Sequence, residues 1–178
     1  MRPLSLALLA TLSACGKDTP NADDTDTTGG GAISGLYEVS RESFNEGCGG
    51  RGTVKDFPIP FIRLTQTGTR IDLYECRSET DCNAAPTDDW AFDQVDGEWI
   101  GESHGGDWSN QESACFMWYQ ERAFTLDAGE ARLERREYDT YDATVRGADA
   151  CAEKWPDWSG RGGTCKHEVK IDATRIGD

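Results

Sequence analysis

The sequence predicts an all-β domain, an antiparallel up-and-down barrel of about eight strands, and three observations carry that prediction. Short runs in which apolar and polar residues alternate recur along the chain. Glycine turns at Gly68, Gly97 and Gly129 separate these runs at intervals of 29 and 32 residues, as tight antiparallel hairpins require. No stretch reads as a long amphipathic helix, and one short helix fits between Tyr141 and Lys154. Consecutive antiparallel strands bury one face and lose their exposed edges when the sheet closes on itself. A sandwich of two sheets explains the same periodicities and stands as the alternative.

The strands follow in order. "GLYEVSRE" opens the domain at Gly35, and "FIRLTQ" then places Ile62 and Leu64 on one face. "RIDLYEC" places Ile71 and Leu73 on one face and Asp72 on the other. "DDWAFDQV" pairs Trp90 with Phe92, and "GEWIGES" returns from the Gly97 turn. "ACFMWYQERAFTL" is apolar on both faces at its start, and "EARLERREY" sets Ala131 and Leu133 against Arg132 and Glu134. The last strand is the cleanest, with His167, Val169, Ile171 and Ala173 opposite Lys166, Glu168, Lys170 and Asp172. One opening strand, three hairpins and one closing strand make a layout that resembles the lipocalin or calycin style of barrel, with no motif of those families present. Such a scaffold hosts many functions and names none.

Ahead of the domain, residues 1–14 carry one charge, Arg2, followed by a short leucine- and alanine-rich run, the layout of a secretory signal. The run ends in Leu12-Ser13-Ala14-Cys15, which resembles the lipobox of bacterial lipoproteins. The resemblance implies cleavage before Cys15, acylation of that residue, and a membrane held through lipid as partner. It places the protein in the cell envelope, and Gly16 in place of aspartate favours the outer membrane of a Gram-negative host, facing periplasm or cell surface. From Gly16 to Ser34 the chain is polar and acidic and is expected to form a disordered tether, with an r.m.s. span on the order of 25 Å. Residues 35–178 then form a single domain, long enough for a real core.

The formal net charge is −15, and −16 once residues 1–14 are removed. That balance argues against nucleic acid as a partner. Six cysteines lie in the domain: Cys48, Cys76, Cys82, Cys115, Cys151 and Cys165. An even number in an exported chain predicts three disulfides. Proximity in sequence suggests Cys76 with Cys82 and Cys151 with Cys165, leaving Cys48 with Cys115. No pair of cysteines has zinc-finger spacing, and no metal or other cofactor is called for.

Candidate chemistry is sparse. "GESHGGDWS" holds Ser103, His104 and Asp107 together, but neighbours on a strand point to opposite faces, and the string reads as a loop after a polar strand end. His104 and His167 are the two histidines, and either could serve a hydrolase or metal-dependent enzyme with nearby acids. "GGRG" at Gly49–Gly52 and "GRGG" at Gly160–Gly163, with Arg51 and Arg161, are glycine loops whose amides can cradle anions. Trp90, Trp99 and Trp118 are assigned to the core. Trp155, Trp158 and Arg161, in a loop marked by proline and glycine, are the candidates for contact with a ligand or partner. The expectation is a non-enzymatic module binding a small apolar or amphipathic ligand or an envelope protein. An enzyme built on His104 or His167, or a structural envelope role, is the alternative.

Overall fold

A computed structural model describes residues 33–50, 52–55, 58–160 and 162–178. Its ten strands are β1 (Gly35–Glu46), β2 (Thr53–Val54), β3 (Phe61–Thr67), β4 (Arg70–Ser78), β5 (Asp81–Cys82), β6 (Ala91–Val95), β7 (Glu98–Ser109), β8 (Ala114–Asp127), β9 (Glu130–Asp142) and β10 (Thr164–Gly177). Two 3-10 turns, η1 (Asp88–Trp90) and η2 (Trp155–Asp157), and one short helix, α1 (Ala148–Lys154), complete the described secondary structure. Eight of the strands close into an antiparallel barrel, while β2 and β5 are short additions. Closure is made by β1 against β10, paired antiparallel from Leu36 and Gly177 to Glu46 and His167. The two-sheet sandwich is thereby replaced by a single closed sheet.

The three glycine turns sit at one end, the hairpin end. Gly68, Gly97 and Gly129 all have positive φ, and at the second and third the preceding Asp96 and Ala128 do as well. Two consecutive left-handed residues make a turn whose twist matches the flanking strands. Both ends of the barrel sequence, at Ser34 and Gly177, also lie here. Tyr37 donates its hydroxyl to the Ile33 carbonyl at 2.7 Å, so the packed core begins two residues ahead of Gly35.

Parity along the strands decides what fills the lumen. Tyr37, Ile62, Leu64, Ile71, Leu73, Phe92, Leu133, Ile171 and Ala173 are essentially without exposure and pack as one cluster with Trp90, Phe124 and Val169. The alternation expected for β3, β4, β9 and β10 is therefore the one observed. Trp90 is buried, and Trp99 lies half-buried against this cluster. Trp118 is half-buried near the other end of the barrel.

Two expectations need correction. "GESHGGDWS" is strand throughout, since β7 runs to Ser109 and pairs with β8 without a register shift. Its turn, residues 110–113, contains no glycine and uses Ser113 in the left-handed region. The glycines within β7 serve close approach: a Cβ at Gly105 would fall 2.7 Å from the Trp118 ring, and one at Gly106 would fall 2.6 Å from Trp155.

The second correction concerns the disulfides, which are Cys48–Cys165, Cys76–Cys82 and Cys115–Cys151. Only the middle pairing follows from proximity in sequence. Cys151 sits on α1, which lies on the outer face of β7 and β8, where Cys115 and Met117 also point. Cys165 stands at the start of β10 beside the end of β1, and the Gly47 amide donates to the Lys166 carbonyl at 2.8 Å, which brings Cys48 to it.

Candidate functional site

Toward the end opposite the hairpins, the loop end, the inward face of the barrel changes chemistry rung by rung. The innermost rung is Trp99, Phe124, Leu133 and Ile171, apolar throughout. The next is Gly101, Arg122, Arg135 and Val169, followed by Ser103, Gln120, Glu137 and His167. Beyond these come Gly105, Trp118 and Asp139, and then Asp107, Phe116 and Tyr141. Because β7, β8 and β9 pair without a bulge, each rung inherits its inward direction from the apolar one beneath it.

The third rung is one connected ladder across four strands. The Ser103 hydroxyl donates to Gln120 Oε1 at 3.3 Å, and Gln120 Nε2 donates to Glu137 Oε2 at 3.2 Å. That same carboxylate oxygen lies 3.2 Å from His167 Nε2. His167 also stacks obliquely on Phe44 of β1, with ring centroids 5.4 Å apart. The Gln120 amide fixes the order, since its carbonyl accepts from the serine and its NH2 reaches the carboxylate.

The arginine rung is held from above by η1. Arg122 Nη1 donates to the Asp88 carbonyl at 3.0 Å, and Arg135 Nη1 donates to Asp89 Oδ2 at 2.6 Å. The Arg135 guanidinium also stands 5.3 Å from the centre of the Trp90 ring, a cation–π contact. Arg122 and Arg135 are direct cross-strand partners, an arrangement in which like charges repel. Burial is the main cause that lowers the Arg122 pKa from its ordinary value; Asp89 opposes it and Arg135 adds to it. The Nε–H of each arginine is buried and has no hydrogen-bond partner.

On the outer face, the predicted contact residues form a separate cluster. Trp155 and Trp158 are half-buried and pack with Trp108 and Val145 against Cys115, Met117 and Cys151. Trp155 stacks obliquely on His104 with ring centroids 5.5 Å apart. Arg51 and Arg161 lie outside the described residues, as do Cys15, the signal segment and the tether up to residue 32.

Ser103 and His104 consequently face opposite sides of the sheet, and His104 and His167 are likewise divided between the outer face and the lumen. Ser103 is bonded to an amide oxygen, which offers no base to its hydroxyl. Among the described residues, no three His, Cys, Asp or Glu side chains are grouped so as to hold a metal ion. Arg122, Arg135, Gln120 and Glu137 were not singled out by the sequence. Parity carried onward from Phe124 and Leu126, and from Ala131 and Leu133, assigns all four to the inward face. No protein-family model, curated protein or solved structure matches this chain.

Proposed function

We propose that this chain is a lipid-anchored envelope lipoprotein, attached through Cys15, whose barrel is a non-enzymatic binding module for a small amphipathic ligand at its loop end. The observation that carries the reading is the inward ladder from Ser103 through Gln120 and Glu137 to His167, above the buried Arg122 and the half-buried Arg135 and below Trp118. A few convergent polar groups on a concave wall with aromatic neighbours is how ligand sites are usually built. The inner part of the barrel packs as one apolar cluster, which directs a ligand to the rungs above it. The described chain begins at Ile33 and Ser34, at the hairpin end, opposite the ladder.

Docking of an envelope protein is a second reading, favoured by Trp155 and Trp158 on a segment pinned to the barrel by Cys115–Cys151. Native mass spectrometry separates the two. The chain from Gly16, incubated with an extract of its own envelope, is expected to carry a discrete small-molecule mass that a Gln120→Ala, Trp118→Ala variant loses. A protein mass retained by that variant but lost on Trp158→Ala favours docking, and neither mass overturns both readings. Acyl-chain labelling of the wild type, absent in Cys15→Ser, tests the anchor; equal labelling of the two rejects it.

A further inference from the structure

We infer that the loop end of the barrel holds a single carboxylate group between Arg122 and Arg135, which makes the ligand an amphipathic monoanion. This rests on the reading of the loop end as a ligand site. The two guanidinium groups occupy one rung of the β8–β9 ladder, and Arg122 is only 7% exposed. Two like charges so placed are unfavourable unless something between or beside them carries the opposite sign. Asp89, whose side chain is 57% exposed, supplies that sign to Arg135 as a direct ion pair, whereas Asp89 and Asp93 act on Arg122 only through space. Asp88 offers Arg122 a backbone carbonyl, which satisfies a donor without neutralising a charge. Glu137, one rung further out, is engaged with Gln120 and His167.

What remains is an Arg122 guanidinium with no direct ion pair among the described residues and two buried, unpartnered Nε–H donors on neighbouring strands. A carboxylate meets both requirements, with one negative charge and two oxygens that each accept from a guanidinium. Further out, the same face of β8 carries Trp118 and then Phe116, whose ring lies 5.1 Å from that of Tyr141 at the rim. The rest of the ligand is therefore apolar or aromatic and lies along these rings, with its charged end innermost.

The test is a titration of the 15N-labelled chain from Gly16, which retains every described residue, read at the arginine side-chain Nε–Hε resonances. Arg122→Lys and Arg135→Lys, each keeping a positive charge, assign the two signals. Benzoate is expected to shift both signals saturably, whereas benzyl alcohol and an equal concentration of sodium chloride leave them in place. Either lysine variant should weaken benzoate at least tenfold, with unchanged backbone spectra showing that the barrel still folds. Signals that ignore benzoate, or that follow benzyl alcohol or chloride equally, overturn the carboxylate site. The envelope extract separates this failure from that of the parent reading: a ligand mass that persists in the Arg122→Lys, Arg135→Lys double variant keeps the ligand site and rejects the carboxylate.

Discussion

Gly101 and Arg122 share one rung of the β7–β8 ladder, and the arginine Nε fills the space that a side chain at residue 101 would need. A Cβ there would stand 2.8 Å from Arg122 Nε and 2.3 Å from the Ala91 carbonyl oxygen. The first neighbour can swing aside, but the second is backbone of the adjacent strand. Gly101→Ala should therefore destabilise the barrel by about 1–3 kcal/mol, the usual range for overpacking. It should also loosen η1, because Arg122 holds the Asp88 carbonyl. Urea denaturation measures the first effect and hydrogen exchange at the Trp90 amide the second. A neutral substitution would mean that β6 and β7 can separate locally without cost.

The apolar half of the barrel could be read from residue order because its signal is local. Ile62 with Leu64, Ile71 with Leu73, and Val169 with Ile171 and Ala173 each state their face within one strand. The polar half could not be read that way. Arg122 and Glu137 belong to the lumen only because they keep the parity of Phe124 and Leu133, and their long polar side chains resemble solvent-facing ones to any rule based on residue type. Neither could the disulfides be read locally. The partner of Cys151 is fixed by where α1 lies on the outside of β7 and β8, a tertiary fact with no trace in the sequence near it.

Glu42 is a carboxylate on the lumen side of β1, 2% exposed, and its partners come from the segment after β2. It pairs with the Lys55 ammonium and accepts the Ile59 amide at 3.2 Å, while the Lys55 amide returns to the Glu42 carbonyl at 3.0 Å. Glu42→Ala removes the acceptor and leaves the part-buried Ile59 amide without it, at an expected cost of about 1 kcal/mol. Glu42→Gln keeps an acceptor and should cost less. Exchange of the Ile59 amide should quicken in the alanine variant, and equal exchange in both variants would show that the segment is held by something other than this carboxylate.

Glu168 is 2% exposed on the outer face of β10, where burial alone would raise its pKa. Hydrogen bonds from Arg136 and Lys170, with their positive charges, outweigh burial and hold the carboxyl below its ordinary value of 4.5. The folded state therefore binds this proton less readily than the unfolded chain does. The contribution is fully present above the unfolded value and is lost as pH falls through the lowered folded one. Wild type should be more stable than Glu168→Gln at pH 7, with the gap closing under acid. Urea midpoints measured from neutral pH down to about pH 3 check this, since the window lies below the ordinary carboxylate value. A gap of constant size would place the effect in packing rather than in ionisation.

The three disulfides close loops of very different length, with sequence separations of 117 for Cys48–Cys165, 36 for Cys115–Cys151 and 6 for Cys76–Cys82. If each acts chiefly by restricting the unfolded chain, paired serine substitutions should cost about 4.9, about 3.8 and about 2.2 kcal/mol in that order. The middle pair has a local consequence as well. Cys115–Cys151 is the covalent link between α1 and the barrel, and Trp155 follows directly after that helix. Its removal should free the outer cluster, exposing Trp155 to fluorescence quenching while the lumen stays protected from exchange. Proteolysis without reduction should join the Cys48 peptide to the Cys165 peptide; a Cys48–Cys115 link would contradict the arrangement of β1 beside β10. Equal losses from all three pairs would show that native packing, rather than loop closure, sets their contribution.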